Sequence, residues 1–369
     1  LAAISYWWQT WSGSITTIFL QVILVGLPLH YLPWHFASLL PFLVSSFLVS
    51  GFLTWVLDQS LGKPRASRSR LVRNSYFFVV ATVLWWASWW ISTVTTRPDG
   101  LENPMPRAIA FWQTVNVQYI AVPLLVCWLW WGIFRNLDKM STEFKVLLSV
   151  VAGLLVGFSG PVVALSSAIG LSIATVANQS FRGKKDFRRL LPIVLGAFFL
   201  SGAAVIDNLS PGSINRSQFL PDPSLREIVV AIIQTPGKAS MVFWESISDI
   251  GILVSFVTIT ALAFGTRGVL TRPSIQSLSA TGSGLIIFGA VFAVVSSFSE
   301  VFAYEAWWHG MSTRTLIWLG TSCLGIALGF QLQRRASSKN HEIVALLAAM
   351  DKHPHLSIIA RTPLYDMPS

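Results

Sequence analysis

Charged residues are scarce in this sequence, in which Asp, Glu, Lys and Arg make up 11% of 369 residues. Soluble globular chains carry about 25% charged residues, so a soluble enzyme and a disordered chain are excluded. Cysteine is almost absent as well, because only Cys127 and Cys323 occur and each lies inside an apolar run. A secreted disulfide scaffold is therefore excluded, and no cysteine-based metal site is indicated.

Histidine is also rare, and none of the six histidines lies within an apolar run: His30, His35, His309, His341, His353 and His355. An electron carrier that binds haem inside the membrane would need histidines within its helices, so this class is disfavoured. No P-loop and no dinucleotide-binding glycine pattern is present. We therefore expect no cofactor, no direct use of ATP or NAD, and no bound metal.

Long hydrophobic runs dominate the chain instead. Apolar stretches of about 20 residues, the length of a transmembrane helix, recur from Ala37 to Phe330. They are continuous rather than alternating, which favours helices over strands. The sequence predicts an all-α, polytopic transmembrane helical bundle with spans near 37–57, 74–94, 117–134, 146–158, 161–178, 191–206, 245–265, 281–298 and 312–330.

These nine spans define a transmembrane domain at 1–331, followed by a short tail at 332–369. The segment Ser14–Gly26 is either a further span or a helix that lies on the membrane surface. Because the chain begins at Leu1 without a basic leader, we expect no signal peptide and expect that N-terminal sequence is missing.

The loops fall into two alternating classes of charge. Most Lys and Arg residues lie in basic segments near 63–73, 135–145, 182–189, 267–272 and 334–339, whereas loops 95–111, 207–249 and 299–311 taken together are acidic on balance. Basic loops face the cytoplasm, so we expect the acidic loops outside and the C-terminus inside. The net charge of +10 then reflects membrane orientation, and no nucleic-acid partner is expected.

A turn with a basic residue follows the run that ends at Ile206. Pro211 and Gly212 favour a tight turn, which would present Asn215 and Arg216 at the external membrane surface. An arginine fork can hold two phosphate oxygens, so this turn is a candidate phosphate site. The alternative is an ordinary loop whose arginine extends toward water.

A second candidate site lies before the last span. Glu300 and Glu305 flank Tyr304, and the aromatic residues Trp307 and Trp308 are followed by His309. A carboxylate here could act as a general base, with a tryptophan as a stacking surface for a sugar. The alternative is an interfacial aromatic belt with solvated glutamates.

Glu245 and Asp249 form a third candidate site near the external end of their span. The two residues are four positions apart, so on one helix they would face the same side. This spacing predicts that both carboxylates point into a polar cavity rather than into lipid.

Five segments, in this order, resemble the multi-pass bacterial glucosyltransferases of the O-antigen-modifying type, which belong to the GT-C class. The segments are Tyr6–Gly13, Phe111–Tyr119, Gly153–Pro161, Leu209–Arg216 and Tyr304–Gly310. The fourth resembles the family's Pro-Gly-Asn-x-x-Arg turn, and the fifth resembles its late aromatic–glycine motif. The resemblance covers most of the chain through short motifs.

The resemblance implies a GT-C-like fold in the bacterial plasma membrane and a sugar transfer at its outer face. The donor would be a polyprenyl-phosphate sugar, and the acceptor a cell-envelope glycan or lipid. Glu300 and Glu305 are the candidate catalytic residues. The candidate substrate-binding residues are Arg216, which would contact phosphate, and Asn215, Gln118, Tyr119, Trp112, Trp307, His309, Glu245 and Asp249.

The sequence departs from the family pattern at several positions. The acidic residues of the family's first external loop are expected before Leu1, and Ser14 and Glu305 stand where the family has arginine. The family places its Trp-Ser-Gly segment outside the cell, which favours the surface position for Ser14–Gly26.

Two other functions stay open from the sequence. The chain could be a non-catalytic subunit of a larger membrane complex, with membrane-protein partners that bury its tryptophan clusters. It could also be a transporter of lipid-linked sugars, which would need an access path through the bilayer.

Overall fold

The computed structural model describes residues 5–6, 9, 14–26, 31, 34–61, 67–92, 117–136, 141–182, 187–217, 224–265, 272–299 and 310–352. All regular elements in these ranges are helices, which confirms the predicted all-α class. In chain order they are α1 (Ile15–Gln21), α2 (Trp34–Leu61), α3 (Ser67–Ser92), α4 (Val122–Asn136), α5 (Thr142–Gly157), α6 (Pro161–Arg182), α7 (Phe187–Asn208), α8 (Pro211–Ser217), α9 (Leu225–Ile247), α10 (Ile250–Gly265), α11 (Arg272–Ser299) and α12 (Gly310–Lys352). One turn of π-helix follows α1 at Val22–Gly26, and another precedes α4 at Val117–Ala121.

Five helices in the described ranges are long and apolar enough to cross a membrane, and their apolar parts are Leu39–Ser60, Arg70–Ser92, Leu191–Asn208, Ser274–Phe298 and Met311–Ser337. A sixth span results if α9 and α10, which meet at a 48° bend, are counted together. The chain is thus a multi-pass membrane protein. The predicted spans 117–134 and 146–158 correspond to α4 with 15 residues and α5 with 16, both below the length of about 20 residues that crosses a bilayer.

Residues 225–247 form a 23-residue helix, so the prediction that 207–249 is a loop was wrong. The Ser224 hydroxyl accepts a hydrogen bond from the Glu227 backbone N–H, and the Glu227 carboxylate accepts one from the Ser224 backbone N–H. This reciprocal cap satisfies donors that a helix N-terminus otherwise leaves unpaired. This cap therefore fixes the start of α9 at Leu225, and the helix continues through Pro236 to Ile247.

Close glycine contacts determine how the helices pack. A Cβ atom at Gly153 of α5 would lie 2.3 Å from the backbone oxygen of Gly196 in α7, and one at Gly157 would lie 2.4 Å from Cβ of Ala203. Helices in membranes associate through small residues that let their backbones approach. The later residue of α5 meets the later residue of α7 in these two contacts, so α5 and α7 are parallel.

Close contacts also determine the directions of the helices around α12. Gly289 of α11 lies against Thr313 and Gly282 lies against Gly320, so these helices are antiparallel. Asp249, just before α10, pairs with Arg314 of α12, and the later residue Thr260 lies against the later residue Gly325. Helix α10 is therefore parallel to α12.

Helix α3 runs antiparallel to both of its neighbours. The Thr82 hydroxyl donates a hydrogen bond to the Ser50 hydroxyl of α2. Trp86, which is later in α3, donates to the Ser46 hydroxyl, which is earlier in α2. On the other side Ser92 bonds Asp249, and the Leu84 carbonyl is near Ser255. These directions are those that the alternation of basic and acidic loops requires.

Apolar side chains cover much of the outer surface of the bundle. Phe198 and Val257 lie within helices and yet expose about two thirds of their side chains. Helix α12 is the opposite case, because every residue from Met311 to Gly320 is buried. Polar side chains in this part of α12 must therefore find partners inside the protein.

Candidate functional site

An ion pair is buried where α3, α10 and α12 meet. Nη2 of Arg314 lies 3.2 Å from Oδ1 of Asp249, and Nε lies 3.2 Å from Oδ2. Only 8% of the Arg314 side chain and 14% of the Asp249 side chain are exposed. Ionised groups inside a membrane protein are costly unless paired, and they commonly mark functional positions. We call the end of the bundle that holds this pair the Arg314 end.

The break between α9 and α10 places the Asp249 carboxylate. Helix α9 ends at Ile247 and α10 begins at Ile250, so Asp249 precedes α10. Its Oδ1 accepts a hydrogen bond of 3.1 Å from the Ile252 backbone N–H. The carboxylate therefore caps the positive end of α10 while it also pairs with Arg314.

Ser92 and Ser88 of α3 complete the network around the ion pair. The Ser92 hydroxyl lies 2.7 Å from Oδ1 of Asp249 and donates to this carboxylate, and it accepts a bond of 2.5 Å from Nη2 of Arg314. Nη2 also donates to the Ser88 carbonyl at 2.9 Å. A Cβ at Gly251 would lie 2.2 Å from this carbonyl oxygen, so glycine is needed for α3 and α10 to approach.

The Arg314 guanidinium also stacks on an aromatic ring, and one of its three nitrogens makes no hydrogen bond within the described residues. Its Cζ lies 4.1 Å from the centre of the Trp89 ring, a cation–π contact. Nη1 is buried and makes no hydrogen bond within the described residues. Trp85 contacts both Trp89 and Trp318 edge to face at 5.2 Å. An unused buried donor beside an aromatic cluster can bind an acceptor oxygen of a ligand or a water molecule.

Asp207 forms a second buried polar group at the Arg314 end. Only 1% of this residue is exposed, and its Oδ1 makes no hydrogen bond within the described residues. The Ser14 hydroxyl donates to the Asp207 carboxylate. Ser213 donates to the Asp207 backbone oxygen at 2.9 Å, which holds α8 against the end of α7.

The N-terminal segment packs over this corner. The Thr16 backbone N–H donates to the Phe158 carbonyl at 3.0 Å, and the Thr17 hydroxyl donates to the Ser159 carbonyl at 2.9 Å. These carbonyls belong to the α5–α6 turn, which Gly160 closes with a φ of 122°, a conformation that favours glycine. Helix α1 and the π-turn after it span about 18 Å at 1.5 Å per residue, too short to cross about 30 Å of hydrocarbon.

Segments that are far apart in sequence therefore converge at the Arg314 end. Asn215 of α8 donates to the Gln9 carbonyl at 3.0 Å. Helix α1 contacts the π-turn Val117–Ala121. The Ser312 hydroxyl of α12 donates to the Tyr119 carbonyl of that turn at 2.6 Å. These contacts join the N-terminal segment, α8, the π-turn and the start of α12.

Ten of the eleven predicted site residues divide into three groups, and Glu245 is treated separately below. Asn215, Tyr119 and Asp249 make the contacts given above. The backbones of Arg216 and Gln118 lie in α8 and in the π-turn, respectively. The predicted residues that fall outside the described ranges are Trp112, Glu300, Glu305, Trp307 and His309.

The prediction that Glu245 and Asp249 share one helix face was wrong. The helix ends between them, so Glu245 stays on α9 and is exposed, whereas Asp249 turns toward Arg314. No sequence motif identified Arg314, Ser92 or Asp207 as a site residue. A signal for Arg314 was present, because it is the one charged residue between Met311 and Phe330 and such residues are functional candidates by default.

The fold and this site define a multi-pass α-helical membrane protein with a buried arginine–aspartate centre at a helix break. No protein-family model matches the chain, and no curated protein and no solved structure matches it.

Proposed function

We propose that this protein is a membrane glycosyltransferase with a GT-C-like fold and about nine spans. It would move a sugar from a polyprenyl-phosphate donor to a cell-envelope glycan or lipid acceptor. The Arg314 end would face the outside of a bacterial plasma membrane, and the C-terminus would be cytoplasmic.

One observation carries the proposal: segments of the sequence that resemble this family meet at one end of the bundle. Gln9 contacts Asn215, and Tyr119 contacts Ser312, next to the late aromatic–glycine segment. A transfer between two substrates requires groups that hold both reactants in the right geometry. The convergence of these segments at the Arg314 end supports the proposal.

The proposed reaction assigns roles to the polar groups. The acceptor hydroxyl oxygen attacks C1 of the donor sugar, the bond from C1 to the phosphate oxygen breaks, and polyprenyl phosphate leaves. A carboxylate accepts the hydroxyl proton. Glu300 and Glu305 are candidates for this base, and the buried, half-satisfied Asp207 is a third. Arg216 would bind the phosphate through its planar fork.

The direct test is transfer of a radiolabelled sugar from its polyprenyl phosphate by the purified protein in lipid nanodiscs. Arg216→Ala should lower transfer about tenfold to a hundredfold, because a hydrogen bond to a charged group contributes about 1.5–3 kcal/mol. Arg226→Ala is the matched control, since Arg226 is exposed on the first turn of α9.

The base is identified by a second set of variants. Asp207→Asn, Glu300→Gln and Glu305→Gln remove each carboxylate in turn, and loss of transfer in one of them with normal donor binding assigns the base. Unchanged transfer in all three and in Arg216→Ala would refute the proposed reaction.

A transporter of lipid-linked sugars is the second candidate, and the helix break favours it. Transporters commonly place charged groups at discontinuous helices, and Asp249 lies at the break between α9 and α10. Purified protein in vesicles would then move a fluorescent lipid-linked sugar between the leaflets without transferring the sugar to an acceptor. Such movement without sugar transfer would replace the transferase proposal.

A further inference from the structure

The carboxyl group of Asp207 is buried without an ion-pair partner among the described side chains. Asp207 lies one residue before the end of α7, and only 1% of it is exposed. The Ser14 hydroxyl donates to one carboxyl oxygen, while Oδ1 makes no hydrogen bond within the described residues. Burial of a carboxylate in such surroundings is costly, whereas burial of the neutral carboxylic acid costs much less.

The backbone around Asp207 also disfavours a negative charge. Asp207 belongs to the last turn of α7, where the helix dipole places partial negative charge. Helix α5 is parallel to α7 and ends at the same corner, since Gly157 packs against Ala203, one turn before Asp207. Two helix C-termini therefore meet beside this carboxyl group.

The elements around Asp207 place few charged side chains at this corner. Helices α5, α6 and α8 contact α7, and α1 reaches it through Ser14. The segment Ser14–Gly26 contains no ionisable residue. The ionisable residues of α5 to α8 besides Asp207 are Glu143, Lys145, Arg182, Arg188, Arg189 and Arg216, and the segment before Ser14 contains Tyr6. The first five lie at the opposite end of their helices, so Arg216 is the cation that α5 to α8 place at the Arg314 end.

The segment Ser14–Gly26, which we call the strap, covers Asp207 mainly through polar contacts. Three of its buried residues, Ser14, Thr16 and Thr17, carry hydroxyl groups. Thr16 and Thr17 bond the carbonyls of the α5–α6 turn, as described above. A helix as short as α1, with seven residues, is not stable by itself. The strap therefore stays in place only while its contacts with the bundle hold.

We propose that the strap is a pH-sensitive device, which closes over the corner while Asp207 carries a proton and opens when Asp207 is ionised. On opening, the carboxylic acid gives its proton to water. Water then hydrates the carboxylate, which the closed strap would leave buried without solvent. The closed form thus holds one proton that the open form has released, so closure weakens as the pH rises.

Opening of the strap would uncover groups that it contacts at the Arg314 end. Helix α1 contacts the π-turn that carries Tyr119, and Asn215 bonds the Gln9 carbonyl just before the strap. Tyr119 and Asn215 are candidate substrate-binding residues, so control of substrate access rests on the proposed function. The opening itself does not, because it follows from the contacts of Asp207.

Hydrogen exchange of the full chain in lipid nanodiscs, without substrate, tests the strap directly. The measured quantity is the protection of the strap's backbone amides, corrected for the intrinsic exchange rate, which itself rises with pH. Protection should fall at least about tenfold between about pH 5 and about pH 8, and by no more than about tenfold per pH unit, because one proton separates the two forms. Protection of α11 should stay constant. Equal strap protection at both pH values, or an equal loss in α11, would overturn the proposal.

A variant that cannot ionise tests the assignment to Asp207. Asp207→Asn keeps the shape of the side chain, so its strap should stay protected at about pH 8 and lose the pH dependence. Glu245→Gln is the matched control, because it neutralises an exposed carboxylate at the same end of the bundle and should keep the pH dependence of the parent protein. If Asp207→Asn also keeps it, another group controls the strap and the assignment is wrong.

A tether variant leaves Asp207 in place and keeps the proposal testable if Asp207→Asn does not fold. Thr17→Val removes the hydroxyl that donates to the Ser159 carbonyl. Loss of this hydrogen bond should lower protection of the strap about two- to tenfold at every pH. The ratio of protection between about pH 5 and about pH 8 should stay that of the parent protein, because the proton on Asp207 is unaffected. A strap that loses its pH dependence in Thr17→Val would contradict the role of Asp207.

Discussion

Arg314 and Asp249 form a buried ion pair across 65 positions of sequence, with Nη2 of the arginine 3.2 Å from Oδ1 of the aspartate. The pair connects the N-terminal part of α12 with the break between α9 and α10. Removing two charges from water is costly, and their attraction offsets the cost only when every neighbouring lone pair is also satisfied. Ser92, Ser88 and the Ile252 N–H meet that condition for most of the polar atoms here.

Removing the charge of Asp249 should destabilise the protein strongly. Asp249→Asn leaves Arg314 buried without a counter-ion, which typically costs about 3 kcal/mol or more. The measurement is the free energy of unfolding in detergent. Glu245→Gln is the matched control, because this exposed residue four positions earlier should change stability by no more than about 0.5 kcal/mol.

The double variant Asp249→Asn with Arg314→Met checks the cause. It removes both charges, so it should be more stable than Asp249→Asn alone. A double variant that is less stable than the single one would mean that the arginine does not depend on Asp249.

Loss of the Ser92 hydroxyl should weaken the same network. Ser92→Ala removes a donor to the Asp249 carboxylate and an acceptor for Arg314, and it should cost about 1.5–3 kcal/mol. Ser201→Ala on the exposed side of α7 removes only a bond to the carbonyl four residues earlier, and it should be nearly neutral. Thermal unfolding of both variants compares them, and equal stability would contradict the role assigned to Ser92.

The close approach of α5 and α7 should not tolerate a single methyl group. Gly157→Ala would place Cβ 2.5 Å from the Leu200 carbonyl oxygen, which forces the helices apart and should cost about 1–3 kcal/mol. Gly202→Ala on α7 meets no atom within 4 Å. It should instead stabilise the protein by up to about 1 kcal/mol, because alanine is the better helix former.

Unfolding in the same detergent compares the two glycine variants. Equal effects of Gly157→Ala and Gly202→Ala would show that the helices are not in contact at Gly157.

Membrane sidedness has its own test. The two native cysteines, Cys127 and Cys323, are buried, so a membrane-impermeant maleimide should not label the parent protein. Asn215→Cys at the Arg314 end should be labelled in intact cells, whereas Ser141→Cys, exposed at the start of α5, should react only after permeabilisation. The reverse pattern would invert the proposed orientation.

Loop charge was a good guide to helix direction. Basic residues stay on the cytoplasmic side whatever a helix packs against, so the relative directions of α2, α3, α10, α11 and α12 follow from sequence alone. The length of a run was a poorer guide. The run of α9 resembles a loop because Pro236, Gly237 and Lys238 interrupt its apolar character, although the Ser224–Glu227 pair is a recognisable start signal.

The ion pair shows what local patterns could not supply. Whether Asp249 continues one helix or begins the next depends on its bonds to Ser92 and Arg314, which are distant in sequence. Arg314 itself stood near a span end, where a long side chain usually reaches water. In the folded protein the neighbouring helices cover Arg314, so its burial depends on their packing and not on the local sequence.

The last helix has a mechanical consequence. Gly310–Lys352 comprises 43 residues and is about 65 Å long, roughly twice the hydrocarbon thickness of a bilayer. Its final five to six turns therefore extend beyond the lipid as a continuous helix, at the opposite end of α12 from Arg314. A macromolecule that bound this extension and moved it would therefore move Arg314 as well, because one continuous helix joins them across the full depth of the membrane.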